Sequence, residues 1–385
     1  MAALAIDVAL FAQPPRTLSL QIRETIGIRR TEYPVSARVE LAKTGLRDLD
    51  HIRLRAADAD VTAQYSIQST WDDGSVRVAD VDFNLSIGPG EARALQLEYG
   101  PGITRPPSVP RGLTVVEHAD SIQVGNVRFS RSGSPLMLSA NYRSEFIGRG
   151  SNGLALVDVS GARHDLSTAR SLTLDVIKRG PLLVVLRYAG TLPIDAGYSV
   201  AFTMTCEMPN SKSWVKTTVT VDDPSRRVRS VGFDAPLAFG EKPWTWDFGT
   251  DSGTYGVFRN STDAAVLTQT VSAGDSGWIV QTGSKGELRP YESSTGRRAK
   301  TAAGWGHFLD ARGAVAFAVE RFAVEPGAYM ISLNGDGQIA FTVSPAQPRT
   351  AHRLTVYEHF VSTPVAIGAA TNPTAMVNPL VVRVR

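Results

Sequence analysis

Val35-Ser36-Ala37-Arg38-Val39-Glu40-Leu41 places an apolar side chain at every second position and a polar one between each pair. A period of two sends successive side chains to opposite faces of an extended chain, so this stretch reads as a half-buried strand. The same alternation precedes it, where Leu18, Leu20 and Ile22 interleave with Ser19, Gln21 and Arg23. It also follows it, where Val76 and Val78 flank Arg77 ahead of Val81 and Phe83. Apolar spacing at i, i+3, i+4 and i+7 is not sustained over three turns, and Gly or Pro interrupts most windows that begin it. The sequence predicts an all-β protein.

Working outward, the clearest boundary is Gly100-Pro101-Gly102-Ile103-Thr104-Arg105-Pro106-Pro107-Ser108-Val109-Pro110-Arg111-Gly112, whose four prolines and three glycines forbid continuous strand pairing. It separates a small β domain over residues 16–100 from a large one over 113–385, with 101–112 as the linker. Past it the strands come in hairpins. Leu172 to Arg179 and Leu182 to Tyr188 join through Gly180-Pro181, and Tyr198 to Met208 leads through Pro209-Asn210-Ser211-Lys212 into Trp214 to Val221. Later turns fall at Asp310-Ala311-Arg312-Gly313 and Asn334-Gly335-Asp336-Gly337. So many long antiparallel strands suit a two-sheet sandwich, because one open sheet of that size leaves a face uncovered.

Composition narrows the function. Of 385 residues 43% are hydrophobic and 20% charged, the profile of a globular chain. The formal charge of +3 comes from 40 basic and 37 acidic side chains, and the basic ones are scattered, so nucleic acid is not an expected partner. No apolar run reaches the roughly 18 residues that a membrane-spanning helix needs, and no membrane partner is expected. The start carries Asp7 inside its apolar stretch and lacks a basic n-region, which reads as mature chain and leaves a cytoplasmic protein or one assembled into a virion. The single cysteine, Cys206, excludes an intrachain disulfide and a thiolate metal cluster. Phe202, Met204 and Cys206 share one strand face, which makes the thiol a small buried hydrophobe.

Gly148-Arg149-Gly150-Ser151-Asn152-Gly153 spells G-x-G-x-x-G, but Leu154 to Val159 after it is a strand pattern. A dinucleotide would need a helix there, so the stretch reads as a glycine-rich turn. No H-E-x-x-H, Walker loop, G-x-S-x-G or zinc spacing occurs, the six histidines are dispersed, and neither metal nor cofactor is expected. The densest polar and aromatic content lies near the C-terminus. Trp305, His307 and Leu309 share a strand face. If Asp310 pairs with Gly313, Ala316 and Ala318 stand beside them and leave room for a ligand. Tyr357 and His359 share a face, bringing a phenol and an imidazole to one group as an acid/base pair. Arg321 could neutralise a substrate carboxylate, and Trp244 with Trp246 could form a sugar-stacking platform. For each of these residues core packing or a surface ion pair is the competing assignment.

Arg30-Thr31-Glu32-Tyr33-Pro34-Val35, Gln64, Trp71-Asp72-Asp73-Gly74-Ser75-Val76-Arg77, the Pro/Gly linker, and Ala303-Gly304-Trp305-Gly306-His307-Phe308 with Asp310 and Gly313 occur in an order that resembles the exo-rhamnogalacturonan lyase family and its YetA-like relatives, over about residues 18 to 365. The resemblance implies a small RIFT-type β-barrel over 16–100 and a lyase and mutarotase-like β-sandwich after the linker, without the α/α toroid that completes the family's cleft. Two functions follow as expectations. The first is a carbohydrate-recognising or scaffolding protein that binds polysaccharide within a larger assembly of protein chains, such as a phage virion or tail, with Trp305, Trp244 and Trp246 on the sugar. The second is a polysaccharide lyase acting by β-elimination on a uronate-containing glycan. In it Arg321 neutralises the carboxylate, Tyr357 or His359 removes the C5 proton, and His307 assists the leaving oxygen.

Overall fold

The computed structural model describes residues 15–106, 112–273, 275–293, 301–362 and 373–385. The N-terminal segment read as mature chain and the core of the linker, 107–111, lie outside the described residues. The all-β expectation holds: every strand pair is antiparallel, and the helical pieces among the described residues are the single turn Leu166–Thr168 and the short helix Pro373–Val377.

The chain divides into two compact units, residues 1–112 with 379–385, and residues 113–378. The small unit holds a five-stranded sheet, ordered Val381–Val384, Arg16–Arg23, Ala92–Tyr99, Ile52–Ala56, Ala59–Val61. It also holds a three-stranded sheet of Arg30–Glu40, Val76–Ile87 and Ala63–Thr70. The alternating residues behave as their period dictates, with Val35, Ala37, Val39, Val81 and Phe83 all buried. In Trp71-Asp72-Asp73-Gly74-Ser75, the carboxylate of Asp73 accepts from both the backbone N–H and the hydroxyl of Ser75 (2.9 and 2.6 Å), and Gly74 sits at φ 79, where a side chain would be strained. The final strand corrects the expected boundary at 385. Val381–Val384 returns to the small unit and pairs with Arg16–Arg23, Leu20 opposite Val384 and Ile22 opposite Val382.

In the large unit a nine-stranded sheet runs in the order Arg170–Lys178, Leu183–Asp195, Tyr198–Pro209, Trp214–Asp222, Ala351–Ser362, Gly313–Val319, Trp305–Leu309, Trp244–Phe248, Thr254–Phe258. An eight-stranded sheet faces it, with Val228–Pro236, Gln338–Pro345, Gly327–Asn334 and Asp263–Ser272 at its centre. One hydrophobic core joins the two layers: Phe233, Leu267 and Phe341 come from the eight-stranded sheet, and Val184, Phe317 and Phe360 from the nine-stranded one. The hairpins fall where turn chemistry put them, including Asp310 N–H to Gly313 O at 3.0 Å and Gly337 N–H to Asn334 O at 2.9 Å. Cys206 is fully buried in this core, where loss of solvent pushes its thiol up to about 12.

The returning strand yields a test. Ser19 and Arg385 exchange both backbone hydrogen bonds at 2.9 Å. Removing residues 379–385 should therefore expose the Ser19 amide and speed hydrogen exchange through Arg16–Arg23, leaving Ala351–Ser362 protected as before. Unchanged exchange in Arg16–Arg23 would show that the last strand does not hold that sheet edge.

Candidate functional site

The site is built by alternation on the strand Ala351–Ser362. Leu354, Val356 and Phe360 enter the core, so Thr355, Tyr357 and His359 project from the opposite, outer face of the nine-stranded sheet. On the neighbouring strands Val315, Phe317 and Phe308 point inward, which puts Ala314, Ala316, Ala318, Trp305 and His307 outward. Antiparallel register then lines up one cross-strand row on that face: Tyr255, Asp247, His307, Ala316, His359, Trp214. At ~4.8 Å per strand the row spans about 24 Å. The adjacent row runs Trp305, Ala318, Tyr357, Lys216, Glu207.

Contacts knit these rows together. The Nδ1 of His307 lies 2.9 and 3.0 Å from the two carboxylate oxygens of Asp247, and the His307 backbone N–H donates to the same carboxylate at 2.8 Å. Trp214 meets Tyr357 and His359 edge to face, at centroid distances of 5.9 and 5.7 Å. Lys216 sits 5.8 Å from the Tyr357 ring centre and 3.5 Å from the Glu207 carboxylate. Trp305 lies against the backbone of Gly249, where a Cβ would come within 2.4 Å of the indole, and it meets His307 at 5.9 Å. Trp214 also helps to line a cavity of about 260 Å³, with Asn126, Tyr142, Asn210, Ser211 and Lys212.

Burial sets the electrostatics. The imidazole of His359, 6% exposed, has no hydrogen-bond partner at Nδ1. Loss of solvent, reinforced by the Lys212 ammonium and by His307, pushes it down to about 3, so it is neutral at physiological pH. Its sequence neighbour Glu358 faces the other way into the core, fully buried and with both carboxylate oxygens unpartnered. Desolvation alone pushes that carboxyl up to about 8.

Of the residues singled out in the sequence, Trp305, His307, Tyr357 and His359 come together on this face. Trp244 and Trp246 do not. They point into the core at 6% and 3% exposure, packed on Phe308, Phe239, Phe248 and Phe258, which leaves no ring face for a sugar. Arg321 is also elsewhere, exposed on the turn after Val319 and paired with Glu325 at 3.4 Å. The alanines do not leave an empty space: the helix Pro373–Val377 packs over the strands that carry Ala314, Ala316 and His307, and buries Met376 completely. Sequence reasoning missed Asp247, Trp214, Lys212 and Tyr255. Only Asp247 left a local trace, one residue past Trp246, because the others reach the row through pairing between distant strands.

The sequence matches no protein-family model and no curated protein. Among solved structures the chain is similar to an α-mannosidase from Enterococcus faecalis V583, at 9% identity and a TM-score of 0.58, over 96% of this chain and 46% of that one. It is also similar to a glycosyl hydrolase family 38 protein from Enterococcus faecalis, at 10% identity and a TM-score of 0.56, over 96% and 47%. A galactose mutarotase-like protein from Lactobacillus casei ATCC 334 aligns at 9% identity and a TM-score of 0.33, over 65% and 100%. The chain spans about half the length of the two Enterococcus faecalis chains, and what it shares with them is the fold.

The two perturbed neighbours give opposite pH dependences. For His359 the folded value of about 3 lies below the ordinary 6.5, so the unfolded state binds more protons between them and stability rises with pH over that window. For Glu358 the folded value of about 8 lies above 4.5, so the folded state binds more protons and stability falls as pH rises from 4.5 to about 8. From this pair the melting temperature should rise up to pH 4.5, level off to 6.5, and fall toward pH 8. His359→Gln should remove the acidic limb and Glu358→Gln the alkaline one. Thermal melts across this range in which neither variant alters a limb would refute both assignments.

Proposed function

We propose that the protein is a carbohydrate-recognising β-protein that binds polysaccharide beside Trp214, at one end of its nine-stranded sheet, as a component of a larger assembly such as a virion or tail. The observation that carries the reading is the cavity beside Trp214, lined by Asn126, Asn210 and Lys212 at the end of a polar and aromatic row. Asn126, Asn210 and Lys212 are side chains suited to the hydroxyl or acidic groups of a sugar. Tyr255, 67% exposed, stands at the far end of the row. The small RIFT-type barrel and the relation to exo-rhamnogalacturonan lyases belong to this proposal and are supported by the two-unit all-β architecture.

One observation favours a second reading, a lyase cleaving a uronate-containing glycan. The Asp247 carboxylate fixes the His307 imidazole, as a general acid or base requires, and Tyr357 and His359 stand two strands away on the same face. Against it, Tyr357 and His359 are only 5% and 6% exposed, and Arg321, the expected carboxylate partner, is not on this face. Recognition tolerates that burial better than proton abstraction, which needs the base within ~3 Å of the substrate proton.

Glycan-array binding by the full chain, run beside an absorbance assay for unsaturated uronate on pectic and other acidic polysaccharides, separates the readings. Specific binding that Lys212→Ala lowers by about tenfold or more, without new absorbance, is the expected result. Rising absorbance that disappears in Tyr357→Phe and His359→Ala would replace recognition by the lyase. Silence in both would leave neither.

A further inference from the structure

A second cavity, about 250 Å³, lies on the large unit away from the Trp214 row, and Arg321 helps to line it. Three guanidinium side chains reach it, Arg321, Arg349 and Arg353, against the carboxyls of Glu320 and Glu325. Glu325 serves two of the three cations: Arg349 donates to one of its oxygens and Arg321 to the other at 3.4 Å. Its backbone is pinned by the Tyr329 hydroxyl, which donates to the Glu325 carbonyl at 2.9 Å and accepts from its N–H at 3.1 Å. A single carboxylate thus holds two guanidinium groups at the mouth, each with further N–H donors to offer.

Two residues of the lining carry buried polar atoms without a hydrogen-bond partner. His352 has a side-chain exposure of 3%, and its Nε2 makes no hydrogen bond. The nearest acid, Asp223, is 3.9 Å away and already accepts from the Tyr198 hydroxyl and the Val228 N–H, both at 2.6 Å. The Oε2 of Glu320 is likewise buried without a partner. Buried polar atoms are almost always hydrogen-bonded, and these two, set behind the cavity wall, are exceptions. The turn between them adds backbone strain, with Arg321 and Ala323 both left-handed at φ 57 and 58.

We propose that this cavity binds a small hydroxylated oxyanion, a sugar unit carrying a carboxylate, sulfate or phosphate. Its anionic group sits between Arg349 and Arg321, and its hydroxyls reach Glu320. Guanidinium groups match planar and tetrahedral oxyanions through paired N–H donors, and a carboxylate acceptor beside them selects for hydroxyls over a bare ion. The Glu325 carboxylate acts as the internal counter-anion that the ligand displaces. The site shares no lining residue with the cavity beside Trp214, so its arginine variants test it apart from the glycan-array experiment.

Isothermal titration calorimetry on the full chain tests it with glucuronate, glucose 6-sulfate, glucose 6-phosphate, inorganic sulfate and glucose. The acidic sugars should bind saturably, inorganic sulfate more weakly and glucose not at all. Arg349→Ala and the exposed Arg321→Ala should each weaken binding by about tenfold. Glu325→Gln, which removes the competing carboxylate, should tighten it, a gain that a misfolded variant could not produce. Absence of saturable binding, indifference to both arginine substitutions, or inorganic sulfate and glucose binding as well as the acidic sugars would overturn the proposal.

Discussion

The register of strand Ala351–Ser362 between Gly313–Val319 and Trp214–Asp222 is the constraint on which the large unit rests. A strand's side chains alternate strictly, so a slip of one residue would bring Tyr357 and His359 into the core and put Val356 and Phe360 in water. Local contacts pin the register on both sides. Phe360 packs on Phe146 and Tyr142 at 5.5 and 6.0 Å, the Ser213 hydroxyl donates to the Phe360 carbonyl, and the Thr218 and Thr355 hydroxyls meet at 3.0 Å. The outer-face row is a by-product of this packing: once the inward set is fixed, the outward set has no freedom.

Glu358 shows how strong that constraint is. It occupies an inward position among Phe317 and Val215, with no donor for either carboxylate oxygen. Holding the carboxyl neutral to about pH 8 costs on the order of 3 kcal/mol at neutral pH, at ~1.4 kcal/mol per unit above its ordinary 4.5. A slip that freed it would expose Leu354, Val356 and Phe360, each worth about 1.5 to 3 kcal/mol, before any loss on the neighbouring strands is counted. The packing of one strand outweighs one misfit carboxyl, so the group is carried into the core protonated.

Much of this order is local and therefore legible in the sequence. Period-two alternation marks the strands, Gly/Pro clusters and Asp310-Ala311-Arg312-Gly313 mark the turns, and the pairing of Trp305 with Ala318 and His307 with Ala316 follows from that turn alone. The glycine-rich Gly148–Gly153 stretch runs into a strand, as its apolar pattern indicated. Whatever depends on pairing between distant strands was hidden. Nothing near residue 359 signals that His359 faces Trp214 across 145 positions, and nothing near 381 signals that the chain goes back to pair with Arg16–Arg23. Trp244 and Trp246 misled for a related reason. Two aromatics on one strand face look the same whether that face is core or solvent, and only the sheet on the other side decides.

The same separation of faces explains why the chemistry lies outside the sandwich. Its interior is filled by Phe, Leu, Val and Trp from both sheets, and apolar matter at crystal-like density excludes a polar ligand. Polar groups that converge must do so on an outer face or where the layers end, which is where Lys212 with Trp214 and Arg321 with Arg349 are found. The chain's formal charge of +3 hides this arrangement, because cations and anions cancel in the sum but not in space. At the Trp214 end, Lys212 helps to hold His359 neutral. An anionic group seated against that ammonium would weaken its repulsion of an imidazolium and make His359 easier to protonate. The imidazole on the outer face is therefore coupled, through Lys212, to the charge of whatever enters the cavity beside it.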